Sequence, residues 1–144
     1  LENEKNNIIA FLAFWSFENF NFIEHLAVDP SCRGKGTGTK IVSDFIKENS
    51  SKSIILEIEP PTDEISIKRL KFYEKLGFKL NNYEYFQIPL RENQTPFKLN
   101  LMSYPEKLTP EEFENIKNKI AATRSKSKYA ASNIASITSG SCGL

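Results

Sequence analysis

Leu26-Ala27-Val28-Asp29-Pro30-Ser31-Cys32-Arg33-Gly34-Lys35-Gly36-Thr37-Gly38 is the stretch on which the fold turns. Its first residues close an apolar run from Asn21 to Val28 that reads as a strand. Asp29-Pro30-Ser31 ends that strand, because proline removes a ladder donor and fixes a turn. A glycine-rich loop follows, and Ile41, Val42, Phe45 and Ile46 then recur with the spacing of one apolar helical face. A loop between a strand and a helix start collects unpaired backbone N–H groups and the positive end of the helix dipole. Glycines 34, 36 and 38 let those N–H groups face a ligand without side-chain obstruction, and Arg33 and Lys35 add two cations. The arrangement suits an anion, above all a phosphate or pyrophosphate. The plain alternative is a glycine-rich surface turn that binds nothing.

Two common phosphate motifs do not fit. The triphosphate loop requires Gly-Lys-Ser/Thr after four intervening residues, and from Gly34 that register gives Thr39, Lys40 and Ile41. The dinucleotide fingerprint requires a third glycine where Thr39 stands. A nucleotide-binding switch is therefore disfavoured, and nucleotide titration would test it.

Upstream, Asn7 to Trp15 is short, β-branched and aromatic and reads as a buried strand, antiparallel to the next across Glu18-Asn19. Downstream, Asn49 to Ser53 breaks the first helix, and Ile54 to Glu59 is a third strand stopped by Pro60-Pro61. A second helix is expected from Ile65 to Leu76, where Ile67, Leu70, Tyr73 and Leu76 recur on one side and Gly77 suits a left-handed cap. Lys79 to Leu90 and Phe97 to Ser103 read as two strands joined by the polar loop Arg91 to Pro96. Thr109, Pro110 and Glu112 agree on a helix start with a capping box, predicting a helix to about Ile120. The order predicts a mixed α/β domain with a βαβ crossover at its centre. Residues 1–120 form one expected domain with a core over 7–104. Residues 121–144, rich in Ala, Ser, Lys and Gly, are expected to be a frayed, disordered or artificially appended tail without function.

Composition bounds the rest. The chain has 144 residues, a length suited to one domain. Its 40% hydrophobic content excludes wholesale disorder, and eleven Phe and five Tyr supply area for a core. A net charge of +1 offers no electrostatic case for a nucleic-acid or anionic-membrane partner. Two cysteines, Cys32 and Cys142, make no disulfide framework, which predicts a reduced, cytoplasmic setting. No apolar stretch is long enough for a membrane helix, and no signal peptide opens the chain. The chain starts at Leu1 and its one methionine is Met102, which reads as a processed, truncated or unrecorded start. No His, Cys and carboxylate cluster has metal-ligand spacing, so no metal is expected.

The glycine loop resembles the acyl-CoA-binding motif of GNAT-type N-acetyltransferases, Arg/Gln-x-x-Gly-x-Gly/Ala, met here by Arg33, Gly36 and Gly38. Phe72-Tyr73-Glu74-Lys75-Leu76-Gly77-Phe78 resembles the family's second signature, a helix ending in Tyr-Glu-Lys-x-Gly-Phe. The two stand in the family's order with the Ile54 to Glu59 strand between them, and the resemblance covers Asn7 to about Ser103. It implies a GNAT-like fold. That fold opens with a strand and two helices ahead of the segment found here; on this resemblance those elements, which form part of the acceptor wall, are missing.

The resemblance also implies roles. Leu26, Ala27 and Val28 would pair by their backbones with the pantetheine arm of acetyl-CoA, while their side chains serve the core. The N–H groups from Arg33 through Gly34, Lys35, Gly36 and Thr37 to Gly38 would hold the pyrophosphate. Tyr73 is either a core aromatic or the acid that protonates the departing thiolate. Ser66 stands where the family often has a cofactor-contacting asparagine, and a hydroxyl replaces only part of an amide's hydrogen bonding. Arg69 stands where alanine is frequent. The acceptor amine must lose a proton; Glu24 leads the candidates for that base, with Glu57 and Glu59 as alternatives that would also attract a cationic acceptor. For each, a solvated charge is the plain alternative. His25, the one histidine, alternates with Glu24 and reads as structural. Cys32 adjoins the loop, but no nucleophilic thiol is required.

The expected activity is acetyl transfer from acetyl-CoA straight to a small-molecule or peptide amine in a ternary complex. The rival is an inactive acyl-CoA-binding module in regulation or assembly. A homodimer is admitted as one assembly, and the acceptor and the acyl-chain preference are left open.

Overall fold

The computed structural model describes residues 8–87, 95–126 and 133–135. They divide into two units, one of residues 8–54 together with 133–135, the other of residues 55–87 and 95–126.

In the first unit, β1 (Ala10–Ser16) and β2 (Phe20–Val28) form an antiparallel hairpin with Leu12 opposite Leu26 and Trp15 opposite Phe22. The turn closes with the Phe17 N–H on the Phe20 carbonyl at 2.8 Å. Pairing runs from Phe14↔Ile23 to Ala13↔His25, so Glu24 is the extra residue of a β-bulge. β1 is also paired antiparallel, through Leu12, Ala13 and Phe14, with the short strand Asn133–Ala135, numbered β6 below. The helix α1 (Thr37–Glu48) buries Ile41, Val42 and Phe45 and packs on β1 and β2, with the Phe45 ring edge-on to Phe14 at 4.8 Å. Fully burying a side chain of this size stabilises by about 1.5–3 kcal/mol, so these three residues set where α1 sits. α1 begins at Thr37 and therefore takes in two residues, Thr37 and Gly38, that the sequence pattern assigns to the loop.

β3 (Ser53–Ile58) leads from the first unit into the second. There follow α2 (Glu64–Lys75), β4 (Lys79–Gln87), β5 (Phe97–Tyr104) and α3 (Pro110–Lys126). β4 and β5 are antiparallel, and α2 and α3 pack on β4. Buried Asn81 ties this unit together: its amide N–H₂ donates to the Leu101 carbonyl and the Ser103 hydroxyl, and its amide oxygen accepts the Leu108 N–H. The capping box read from Thr109 and Glu112 is present, each bonding the other's backbone N–H. Asp63 and Ser66 make a second box at the start of α2. The apolar side expected on α2 is only partly covered. Ile67 is 37% exposed, Leu70 and Tyr73 are half-buried, and the one buried residue of the helix is Ser66.

The expected tail differs in two places. Residues 121–126 continue α3 six residues past Ile120, carried on by Ala121 and Ala122, the strongest helix formers, and Asn133–Ala135 is a strand. The remaining tail residues, Cys142 among them, lie outside the described residues, as do 88–94 of the predicted fourth strand and its loop. No helix among the described residues is long and apolar enough to cross a membrane.

Candidate functional site

The glycine loop is built by a chain of local devices. The Asp29 carboxylate caps the 3₁₀ turn Pro30–Cys32 by accepting the Ser31 N–H and hydroxyl, and those bonds hold it below the usual aspartate range. Cys32 is buried, with its sulfur 3.6 Å from the Ser31 hydroxyl, so it anchors the turn. Arg33 to Gly36 then turn the chain, with Gly34 and Gly36 both at φ 78°. Gly36 is the N-cap of α1, and its carbonyl accepts the Lys40 N–H at 3.0 Å. The amides of Thr37, Gly38 and Thr39 occupy the first turn of α1, where no intrahelical acceptor exists. Arg33 and Lys35 are exposed beside them. A Cβ added at Gly34 or Gly36 would meet nothing within 4 Å, so both positions require glycine for conformation and their surface is open to a ligand. Leu26, Ala27 and Val28, at the end of β2, are half-buried.

Glu24 is half-buried, and its carboxylate Oε2 accepts the indole N–H of Trp15 at 2.5 Å. His25 is exposed. Because Glu24 sits in the bulge, strict alternation does not carry across it. The contrast between the two residues rests on burial and bonding, and an exposed His25 is not a core histidine.

In the second unit, Tyr73 is half-buried at the end of α2. Its carbonyl accepts the Phe78 N–H at 3.1 Å and the Glu74 carbonyl accepts the Gly77 N–H at 3.0 Å, the paired bonds of a Schellman motif with Gly77 at φ 102°. The second signature is thus a helix terminator. Burial pushes the Tyr73 phenol above its usual value, with Arg69 opposing, so the phenol is protonated at neutral pH and able to donate.

Glu57 and Glu59, two apart on and just after β3, do not form one acidic pair. The Arg124 guanidinium grips the Glu57 carboxylate at 2.7 and 2.9 Å, and the Tyr85 hydroxyl donates to the same group. Burial, the Glu57 charge and that hydrogen bond together push the Tyr85 phenol far above its usual value. Glu57 is therefore neither a solvated strand-end charge nor a bare anion. Glu59 is exposed, 3.8 Å from the Arg69 guanidinium, and borders a shallow groove of about 450 Å³ with Pro60, Thr62, Gln87, Phe97, Lys98 and Leu99. Ser66 is buried, and its hydroxyl accepts from the Thr62 and Asp63 N–H groups and approaches the Asp63 carbonyl at 3.1 Å. That hydroxyl belongs to the capping box of α2.

Two residues were not read as part of the site, one without a local signal and one with a signal that was not used. Arg124 lies in the segment read as tail. Trp15 was signalled: a turn at Glu18-Asn19 places it diagonally across the hairpin from Glu24.

Residues 1–80 match the family model for the acetyltransferase (GNAT) domain. The chain is 40% identical over 70 residues to the Bacillus subtilis (strain 168) protein named "Putative acetyltransferase YjbC", covering 47% of this chain and 35% of that one. It is 40% identical over 57 residues to the glucosamine 6-phosphate N-acetyltransferase of Trypanosoma brucei brucei, covering 40% and 36%. The chain thus spans about a third of the length of these curated relatives. Among solved structures, a GNAT-family protein of Bacteroides thetaiotaomicron superposes with a TM-score of 0.75 at 29% identity, over 83% of this chain and 67% of that one. A GNAT acetyltransferase of Elizabethkingia anophelis, solved with acetyl-CoA bound, gives 0.52 at 18% identity over 68% and 69%, a likeness of fold. With more than half its length inside the family model and the α/β architecture of the family's structures, the chain belongs to the GNAT acetyltransferase domain family.

Proposed function

We propose that this protein transfers the acetyl group of acetyl-CoA directly to an amine acceptor. The observation that carries the reading is the pair of left-handed glycines, Gly34 and Gly36, leading into the bare first turn of α1 within the family's motif. Acetyl-CoA supplies an acyl group already activated as a thioester. Arg33 and Lys35 neutralise its pyrophosphate, and the amides from Gly34 to Gly38 donate to it. The backbone of Leu26 to Val28 aligns the pantetheine arm. Glu24 takes the proton of the incoming ammonium, directly or through a water, and Tyr73 gives its proton to the leaving sulfur. Glu24 has the better claim to the base, since Glu57 is held by Arg124 and Tyr85. A glucosamine derivative is the acceptor named for one relative, which supports an amine here. The expected setting is the cytoplasm.

The test is calorimetric titration with acetyl-CoA, followed by turnover on glucosamine 6-phosphate, spermidine, free lysine and a tripeptide. Binding with turnover supports the proposal. Binding without turnover on any amine favours an inactive acyl-CoA-binding module, and absence of binding overturns both.

A further inference from the structure

We infer that Trp15 is the positioning residue for Glu24, an inference that rests on the proposed role of Glu24 as base. The bulge makes Glu24 an extra residue between Ile23 and His25, freeing it from the pairing that orients its neighbours. A glutamate so released has three rotatable bonds and no fixed direction. The Trp15 indole N–H supplies the direction. Trp15 is itself fixed opposite Phe22, and its N–H reaches diagonally across the hairpin to Oε2 of Glu24. An indole nitrogen can only donate, so it cannot compete with the carboxylate for the acceptor's proton. Bonding Oε2 assigns proton transfer to Oε1: the N–H of the ammonium breaks, the proton joins Oε1, and the amine keeps its lone pair for the acyl carbon.

This chain contains one tryptophan, so supplying a tryptophan auxotroph with β-(3-benzothienyl)alanine replaces Trp15 alone. The ring shape is kept and the N–H becomes sulfur. Parent, Glu24→Gln, the benzothienyl protein and the benzothienyl protein carrying Glu24→Gln are compared on the best amine of the panel above, with acetyl-CoA titration as the check on folding. The expected result is that the benzothienyl protein binds acetyl-CoA as the parent does, loses about tenfold in kcat, and with Glu24→Gln added falls no lower than Glu24→Gln alone. Trp15→His, which retains a ring N–H, is expected to regain part of that loss, whereas Trp15→Phe is not. An unchanged kcat in the benzothienyl protein beside a collapsed Glu24→Gln overturns the role of Trp15 and leaves Glu24 as base. Multiplying losses in the double variant also overturn it, because Trp15 would then act apart from Glu24. An undiminished Glu24→Gln removes Glu24 as base and this inference with it while acetyl transfer stands, whereas no turnover on any amine removes the proposed function as well.

Discussion

The Tyr73 ring meets the Phe78 ring edge-on, centroids 5.7 Å apart, across a left-handed Gly77 that ends α2. Phe78 stands two residues past the helix cap and Tyr73 three residues before it, the positions between which a Schellman terminator makes its apolar contact. Phe78 is buried and also leans on Tyr104 at 5.5 Å, while Tyr73 touches Phe72 at 5.0 Å. The terminator thus has a second use. It fixes the ring of Tyr73, and with it the position of the phenol oxygen, at the point where α2 stops.

Gly77→Ala should destabilise the protein by about 1–3 kcal/mol. Alanine is strained at φ 102°, and its Cβ would fall 2.9 Å from the Tyr104 ring, which Phe78 holds in place. Urea unfolding measures the loss. In a Tyr104→Ala background the steric part disappears and only the backbone strain should remain, so an equal loss in both backgrounds would show that the ring contact costs nothing.

Tyr73→Phe keeps the ring against Phe78 and removes the proton. It should lower kcat by about 10²-fold while acetyl-CoA affinity and Tm at neutral pH hold. The pH dependence has a definite sign. Burial raises the folded-state value, so the associated stability is complete below the unfolded value near 10 and is lost as pH rises toward the folded one. Parent Tm should therefore fall more steeply than that of Tyr73→Phe above about pH 10. Parallel curves would mean that Tyr73 is as solvated as a free phenol.

Arg124→Ala should cost about 1–3 kcal/mol, less than the loss of a fully buried ion-pair partner, because the two side chains retain 21% and 12% exposure. Ending the chain after Ile120 removes the same grip and should cost at least as much. If that truncation leaves the urea midpoint unchanged, residues 121–126 are the dispensable tail that their composition suggests.

Residues whose interactions are local were readable in advance. Thr109, Pro110 and Glu112 announce a cap within four positions, and Gly77 announces a left-handed terminator, because each bond closes within one helical turn. The same logic was available at Asp63 and Ser66. There Ser66 was read for its place in a family pattern, and the cap that its hydroxyl closes was passed over. Long-range pairing was not legible. Glu57 and Arg124 are separated by 67 positions, and no local pattern marks a partner so distant. The bulge at Glu24 has no glycine or proline to advertise it, so alternation was extrapolated through a point where the ladder skips a residue. In the glycine loop the glycines were legible because conformation and composition coincide at Gly34 and Gly36, and where α1 begins was not, because Gly38 reads as loop while sitting in a helix.

Glu24→Gln should depress kcat/KM most at low pH, where the amine acceptor is mostly protonated and must be helped to shed its proton. Activity should recover partly as pH rises and the free amine appears. His25→Gln, which alters an exposed side chain, should leave that profile alone. A profile untouched by Glu24→Gln but collapsed by His25→Gln moves the base by one residue. Collapse with Glu57→Gln moves it to β3.

Gly36 separates the conformational from the ligand-binding demand on the loop. At φ 78° any side chain carries a left-handed penalty of about 1–2 kcal/mol, and nothing lies within 4 Å to add a clash. Gly36→Ala should therefore lose roughly that much in urea unfolding while retaining measurable acetyl-CoA affinity. Gly36→Glu carries the same backbone penalty and adds a carboxylate at the mouth of the first turn of α1, where the pyrophosphate is proposed to lie. Its stability should match that of Gly36→Ala to within about 0.5 kcal/mol, since the side chain points into open space. Its acetyl-CoA binding should vanish from the titration. Adding salt should not restore it, because the negative group competes at contact distance for the same amides rather than acting through a screened field. Parent-like affinity in both the alanine and glutamate variants would remove the pyrophosphate from this loop, and a loss shared equally by both would reduce Gly36 to a backbone requirement of α1.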